Sequence, residues 1–215
     1  VMPEPRSRAF DMSYAWEMHH IMNEVAKGNW SVDSIRTAVP EQLERFGEDA
    51  FRMMFVTNHD ENSWNGTIDE RMGMNGDAMA ILAGTLTGMP LVYSGQESGS
   101  TKRLRFFEKD TVEWGGYTKK ELYQTIYRLH HEEEALWNGT YGAQPVFVDL
   151  DSDDALAWTR SKHESQVAVA VKVGDESVTI PMELASDWLT VWGKVAASDR
   201  VIIPPHSASV WVKGN

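Results

Sequence analysis

Cysteine is absent from the 215 residues, so no disulfide and no thiolate metal site is available, and the redox compartment leaves no trace. Long apolar runs are absent too: none approaches the roughly 18 residues that a membrane helix needs. Basic residues are in deficit, with 20 Lys and Arg against 32 Asp and Glu and a net charge of −12 at neutral pH. That balance excludes a nucleic-acid partner, whose phosphates need a basic surface, and argues against anionic membranes. The opening Val1-Met2-Pro3-Glu4 lacks the basic-then-apolar pattern of a secretory leader and any plausible initiator context. The expectation is a chain excised from a longer one, whose leader could have gone with the excised part. The compartment stays open between secreted, periplasmic and cytoplasmic.

What is present is ordinary for a globular protein: 42% hydrophobic and 24% charged residues, enough for one large domain or two small ones. Nine tryptophans are many for this length. Aromatics are usually core, but sugar-binding proteins also stack pyranose rings on them.

The first 140 residues alternate short apolar runs with helical periodicity. Phe10 to Trp16 is strand-like. Met18, Ile21, Met22 and Val25 then recur at the spacing of one helical face, and Gly28 stops that helix. A second helix starts near Ser31, with Ile35, Val39, Leu43 and Phe46 as its stripe; Pro40 predicts a break in it. Phe51 to Thr57 reads as a strand, and Ser63 to Asn75 as a loop over its end. Gly76 to Thr87 is helical, Met89 to Tyr93 is a strand, and Ser98 to Gly116 is a long loop rich in charge and aromatics, a kind that is commonly functional. Thr118 to Trp137 closes this part as a helix. From Val146 onward the period falls to two, with strand candidates at 166–173, 177–180, 189–192, 201–203 and 207–213. The expected organisation is therefore an α/β part over residues 1–140 and an all-β antiparallel sandwich over residues 141–215.

Chemistry gathers at two strand ends. Phe55-Val56-Thr57 runs into Asn58-His59-Asp60, and Met89-Pro90-Leu91-Val92-Tyr93 runs into Ser94-Gly95-Gln96-Glu97. Polar groups at the C-terminal ends of buried strands, with a helix between, are the local grammar of a parallel α/β barrel. These two motifs, in this order and spacing, resemble the alpha-amylase family of retaining glycosidases, glycoside hydrolase family 13. The resemblance extends upstream to Ala9-Phe10-Asp11-Met12-Ser13-Tyr14-Ala15-Trp16 and downstream to Leu104-Arg105-Phe106-Phe107-Glu108-Lys109-Asp110. It implies a partial (β/α)8 TIM barrel, made of the last three of eight βα units, followed by the family's C-terminal β domain. An open three-strand sheet would expose apolar faces and bare edges. A missing N-terminal barrel portion, or an oligomeric partner, is therefore expected to cover them.

The resemblance also implies roles. Retaining glycosidases use a carboxylate nucleophile and a carboxylic acid that protonates the leaving oxygen. Asp60 matches the family's third carboxylate, which orients the sugar and favours the distorted transition state. His59 would hydrogen-bond sugar hydroxyls beside it, and Asn58 would buttress the strand end. Trp64 and Arg71 would contact an α-glucan oligosaccharide or polysaccharide, or else cover the barrel mouth; both readings stand open. The nucleophile motif, an Arg two residues before an Asp, is nowhere in the chain, and the general acid would fall at or before Val1, with Glu4 matching a non-catalytic position. The expectation is a catalytically inactive piece of a glycoside hydrolase. Calcium bound by some members would be held mainly outside this chain, and no cofactor is evident within it. The alternative is a non-catalytic carbohydrate-binding or assembly module, for which Trp158, Trp188, Trp192 and Trp211 would be the platform.

Other clusters read as structural. Tyr93 and Gln96 suit a packed strand end. His19-His20 are adjacent and point apart on a helix. His130-His131-Glu132-Glu133-Glu134 lacks the spacing that aligns two ligands on one helical face. Asp149, Asp151, Asp153 and Asp154 lack the Gly and terminal Glu of a calcium loop.

Overall fold

A computed structural model describes residues 10–184, 186–194 and 200–214. Residues 1–9, which include Glu4, Ala9 and the expected place of the general acid at Val1, lie outside the described residues. The first part runs β1 (Met12–Tyr14), α1 (Trp16–Ala26), α2 (Asp33–Phe46), β2 (Phe51–Met54), α3 (Ile68–Met72), α4 (Gly76–Thr85), β3 (Met89–Pro90) and α5 (Lys120–Glu132). The second part runs β4 (Val146–Phe147), β5 (Ala155–Lys162), β6 (Ser165–Lys172), β7 (Val178–Ile180), β8 (Trp188–Trp192), β9 (Val201–Ile203) and β10 (Ser207–Lys213).

β1, β2 and β3 form a three-stranded sheet in that order, and both pairings are parallel. Its strands are shorter than the apolar runs suggest. β2 leaves the ladder after Met54, and β3 keeps two residues. The backbone still follows its neighbour: Leu91 N–H donates to the Met54 carbonyl at 2.8 Å.

Two helical expectations change. α2 is not broken at Pro40 but runs unbroken for 14 residues. Pro40 is exposed while Ile35, Ala38 and Val39 are buried on the other side, so the lost hydrogen bond faces water and packing holds the helix. Residues 63–75 are not a loop. They hold the end of a π-helical turn (Glu61–Asn65), then α3, then a 3-10 turn. α3 starts at a capping box: Thr67 Oγ1 accepts from the Glu70 amide, and Glu70 Oε2 accepts from the Thr67 amide.

α4 is apolar all round because it is covered all round. It packs on α5 on one side and on β6 and β10 on another. Gly84 is required there, since a Cβ would meet Ile126 Cγ2 at 2.6 Å.

The second part centres on a five-stranded antiparallel sheet, β4-β5-β6-β10-β8, with a separate β7-β9 pair. Its two faces sort by size. Val167, Val169 and Val171 of β6 join the core built on α1, α4 and α5. Ala168 and Ala170 face a second core with Ile180, Val201 and Ile203 from the β7-β9 pair. Period-two alternation thus serves both layers. Trp158 and Trp211 are fully buried, one in each core, and offer no face to a sugar. No helix among the described residues is long and apolar enough to cross a membrane.

Candidate functional site

The segment that follows β2 carries the motif. Phe55, Val56, Thr57 and Asn58 are buried, and His59 and Asp60 then emerge with side chains 55% and 41% exposed. Asn58 explains the change of direction. Its Oδ1 accepts from the Glu61 amide at 2.8 Å, and its carbonyl accepts from the Asn62 amide at 3.0 Å. The strand end is thereby turned into the π-helical turn, with His59 and Asp60 on its outer shoulder. Their side chains stand 3.7 Å apart, Nε2 to Oδ1, too far for a hydrogen bond. Asn58 Nδ2 and Thr57 Oγ1 are buried without a partner among the described residues.

Beneath this shoulder lies a polar floor. His19 Nδ1 is 3.0 Å from the Phe55 carbonyl, and its Nε2 is 3.1 Å from Glu61 Oε2 and 3.1 Å from Asn23 Nδ2. The imidazole stacks on the Phe55 ring at 4.3 Å. Burial pushes the His19 pKa down, and the Glu61 contact only partly offsets this. Burial pushes Glu61 up, but hydrogen bonds from His19 and Asn65 outweigh it and hold the carboxyl below its usual range.

Arg71 belongs to the same floor. Its Nε donates to the Gly66 carbonyl at 2.9 Å, Nη1 to Asn23 Oδ1 at 2.6 Å and Nη2 to the Val56 carbonyl at 2.7 Å. It is 7% exposed, with Glu61 Oε2 at 3.8 Å. Every nitrogen is engaged with the protein, so Arg71 spans both ends of the segment bearing Asp60 and turns away from solvent. Trp64 does the opposite: it is 57% exposed on the turn, beside Phe106. The structure thus brings His59, Asp60 and Trp64 to one rim, with Asn58 buried behind it and Arg71 under it.

Sequence reasoning did not single out His19, Glu61, Asn62 or the Phe106-Phe107 pair as site residues. The long aromatic loop was the available signal for the last two. Asn62 gave none, since its role depends on chain separation: its Nδ2 donates to the Lys102 carbonyl and its Oδ1 accepts from the Leu104 amide, at 3.1 and 2.7 Å.

Other groups are structural. Gln96 Oε1 accepts from the Tyr93 amide and its Nε2 donates to Tyr123 Oη, so this buried amide ties a strand end to α5. A cavity lined by Thr57, Asn62, Tyr93, Gln96, Lys102 and Tyr123 lies beside the strand end, but neither His59 nor Asp60 lines it. For calcium, no group of three or more convergent His, Asp or Glu side chains exists among the described residues.

Residues 5–154 match the family model described as alpha amylase, catalytic domain. The chain belongs to the alpha-amylase family. A curated relative, alpha-amylase MalA of Haloarcula japonica, is 25% identical over 194 residues, which cover 86% of this chain and 28% of that one. Among solved structures, the maltogenic alpha-amylase AmyB of Thermotoga neapolitana superposes with a TM-score of 0.75 at 13% identity, over 100% of this chain and 53% of its own. An alpha-amylase of Lactobacillus plantarum gives 0.74 at 15% identity, over 95% and 48%. This amylase-family chain therefore spans about half the length of those structures and 28% of the curated relative.

Proposed function

We propose that this chain supplies the C-terminal share of a retaining glycosidase site for α-glucosidic bonds of starch-type glucans. Asp60 is the carboxylate that stabilises the oxocarbenium-like transition state, and His59 hydrogen-bonds the hydroxyls of the same sugar. The observation that carries this is the emergence of both side chains, half exposed, at the C-terminal end of β2, directly after the buried Asn58. In parallel α/β barrels that end of the strand carries the chemistry. Fixed negative charge placed where positive charge develops lowers the barrier without reorganisation.

Asn58 holds the turn, Trp64 offers a ring face to substrate, and Arg71 braces the floor instead of touching sugar. Nucleophile and general acid come from an N-terminal barrel portion, which also covers the free edge of β1; an oligomeric partner is the other way to cover it. The division into residues 1–140 and a β-sandwich over 141–215 belongs to this reading. Alone, the 215 residues are catalytically inactive. A carbohydrate-binding module working through Trp158 or Trp211 loses its platform, because both rings are fully buried.

The test is amylose hydrolysis by the product of the natural gene, by the 215-residue chain and by Asp60→Asn in each. The expected result is no turnover by the chain alone, and a loss of about a thousandfold in the longer product on Asp60→Asn. Turnover by the chain alone that Asp60→Asn abolishes, or an unaffected longer variant, sinks the proposal.

A further inference from the structure

At the end of β2 opposite Asp60, polar groups gather a second time. A cavity of about 50 Å³ opens there between α2, the start of β2, residues 137–144 and β5. Arg52, Gln42, Phe46, Glu48 and Arg160 are among its walls. The volume is roughly four times what one water needs, which is room for a group of a few heavy atoms.

Two guanidinium groups line this cavity without an ion-pair partner. Arg52 Nη1 donates to Ser13 Oγ and Nη2 to the Tyr14 carbonyl at 3.0 Å, and its Cζ stands 3.9 Å from the centroid of the Phe46 ring. Arg160, 3% exposed, is held by three backbone carbonyls. Neither has a carboxylate within ion-pair distance among the described residues. Burial pushes both guanidiniums down, Arg160 to about 9, and the neighbouring Arg45 charge adds to the effect at Arg52. Arg45 itself faces Glu17 at 3.4 Å. The whole chain carries an excess of acid, with a net charge of −12, so this cationic pair is a local exception. A buried cation without an anion is costly.

Donors are left over as well. Arg52 Nε and Gln42 Nε2 are both buried with no hydrogen-bond partner among the described residues. Native proteins seldom leave such groups unpaired. Arg160 Nη1 and Nη2 each keep a second proton beyond the one given to a carbonyl.

The donor set selects the occupant. N–H groups carrying two positive charges call for an anion. A guanidinium edge matches the planar oxygen pair of a carboxylate, and a carboxylate accepts from several donors at once. Glu48 also borders the cavity, but it is exposed and pairs with neither arginine, so its own carboxylate competes only by swinging inward.

We propose that this cavity at the foot of β2 is a binding site for one carboxylate group, held by Arg52, Gln42 and Arg160, which clamps α2 and β2 to β5. The carboxylate belongs either to a small organic acid or to an Asp or Glu side chain of the N-terminal barrel portion. The N-terminal end of a barrel strand serves stability, not chemistry, and the site is independent of Asp60 and of the substrate.

The experiment is thermal unfolding of the 215-residue chain and of the product of the natural gene in sodium formate, with sodium chloride and sodium fluoride as controls at constant ionic strength. The expected result for the chain is a saturable rise of about 3 °C at tenfold excess of formate over its dissociation constant, with less than about half of it in chloride or fluoride. Gln42→Met removes an amide that has no partner in the fold, so the variant folds, and it weakens formate binding about tenfold. Arg52→Gln abolishes the rise. A rise in the natural product too identifies a free organic acid as the occupant. A rise in the chain alone identifies a side chain supplied by the N-terminal portion. No formate effect on the chain, an equal effect of chloride, or an undiminished rise in both variants overturns the carboxylate site. A formate effect that appears only in Glu48→Gln overturns it as well, because Glu48 then fills the cavity itself.

Discussion

His19 Nε2 sits 3.1 Å from Glu61 Oε2 while its Nδ1 sits 3.0 Å from the Phe55 carbonyl, so one imidazole on α1 holds both sides of the turn that carries Asp60. A neutral ring has one proton for two oxygens, and burial favours the neutral ring. His19→Ala removes this brace and leaves buried acceptors unpaired. The expected cost is about 2 kcal/mol in chemical denaturation, with faster amide exchange at Asn62 and Gly66. An unchanged midpoint would show that Arg71 suffices alone.

His130 sets an acid limit on stability. Its Nε2 lies 2.6 Å from the Gly84 carbonyl, and burial pushes its pKa down to about 4 from 6.5. The folded state therefore holds this imidazole neutral at pH values where the unfolded chain has protonated it. Stability from this group is complete above pH 6.5, falls as pH drops toward about 4, and levels off below that. The loss over that window is up to roughly 3 kcal/mol, and His19, shifted in the same direction, adds to it. Thermal melts between pH 7 and 4 read this out, and His130→Gln flattens the profile. The carboxyls of Glu70 and Asp110, each held down to about 2 by cationic partners, lose their contribution only at lower pH.

Arg160 joins the β-sheet to the helical part through backbone carbonyls, with no carboxylate partner among the described residues. Its Nε, Nη1 and Nη2 donate to the carbonyls of Ala143, Thr85 and Trp137 at 2.7, 3.2 and 3.1 Å. Burial pushes the guanidinium down to about 9, which still leaves it charged at neutral pH. Arg160→Met strands three carbonyls and is expected to cost about 3 kcal/mol, with Arg160→Lys intermediate. Equal melting temperatures for the three proteins would refute the joint.

Gly88 stands where α4 hands the chain to β3, with φ of +68°. A Cβ there would lie 2.2 Å from the Arg52 carbonyl oxygen, a backbone atom that cannot move without tearing β2 from its place. Gly88→Ala is expected to cost about 3 kcal/mol or more, measured as a fall in the urea midpoint. Gly73→Ala is a fair control, since its φ is also positive at +53° but nothing lies within 4 Å.

The helices were legible because their signal is local. Met18, Ile21, Met22 and Val25 mark α1, and the same residues are buried in it. The capping box at Thr67 and Glu70 was equally local and equally readable, but the glycines and polar residues around it outweighed it. Pro40 shows the opposite error, a local rule overruled by burial of Ile35, Ala38 and Val39.

The amino-acid sequence by itself determined the family, through two strand-end motifs and their spacing. Tertiary structure alone decided which residues serve the rim and which the floor. Arg71 and Trp64 lie seven positions apart and looked interchangeable as sugar contacts. One is held by Asn23, 48 residues away, and faces inward; the other meets Phe106 and faces water. The physical reason is that periodicity and motifs report what a residue does to its own backbone. Burial, hydrogen-bond partners and ring contacts depend on chain segments that only folding brings together.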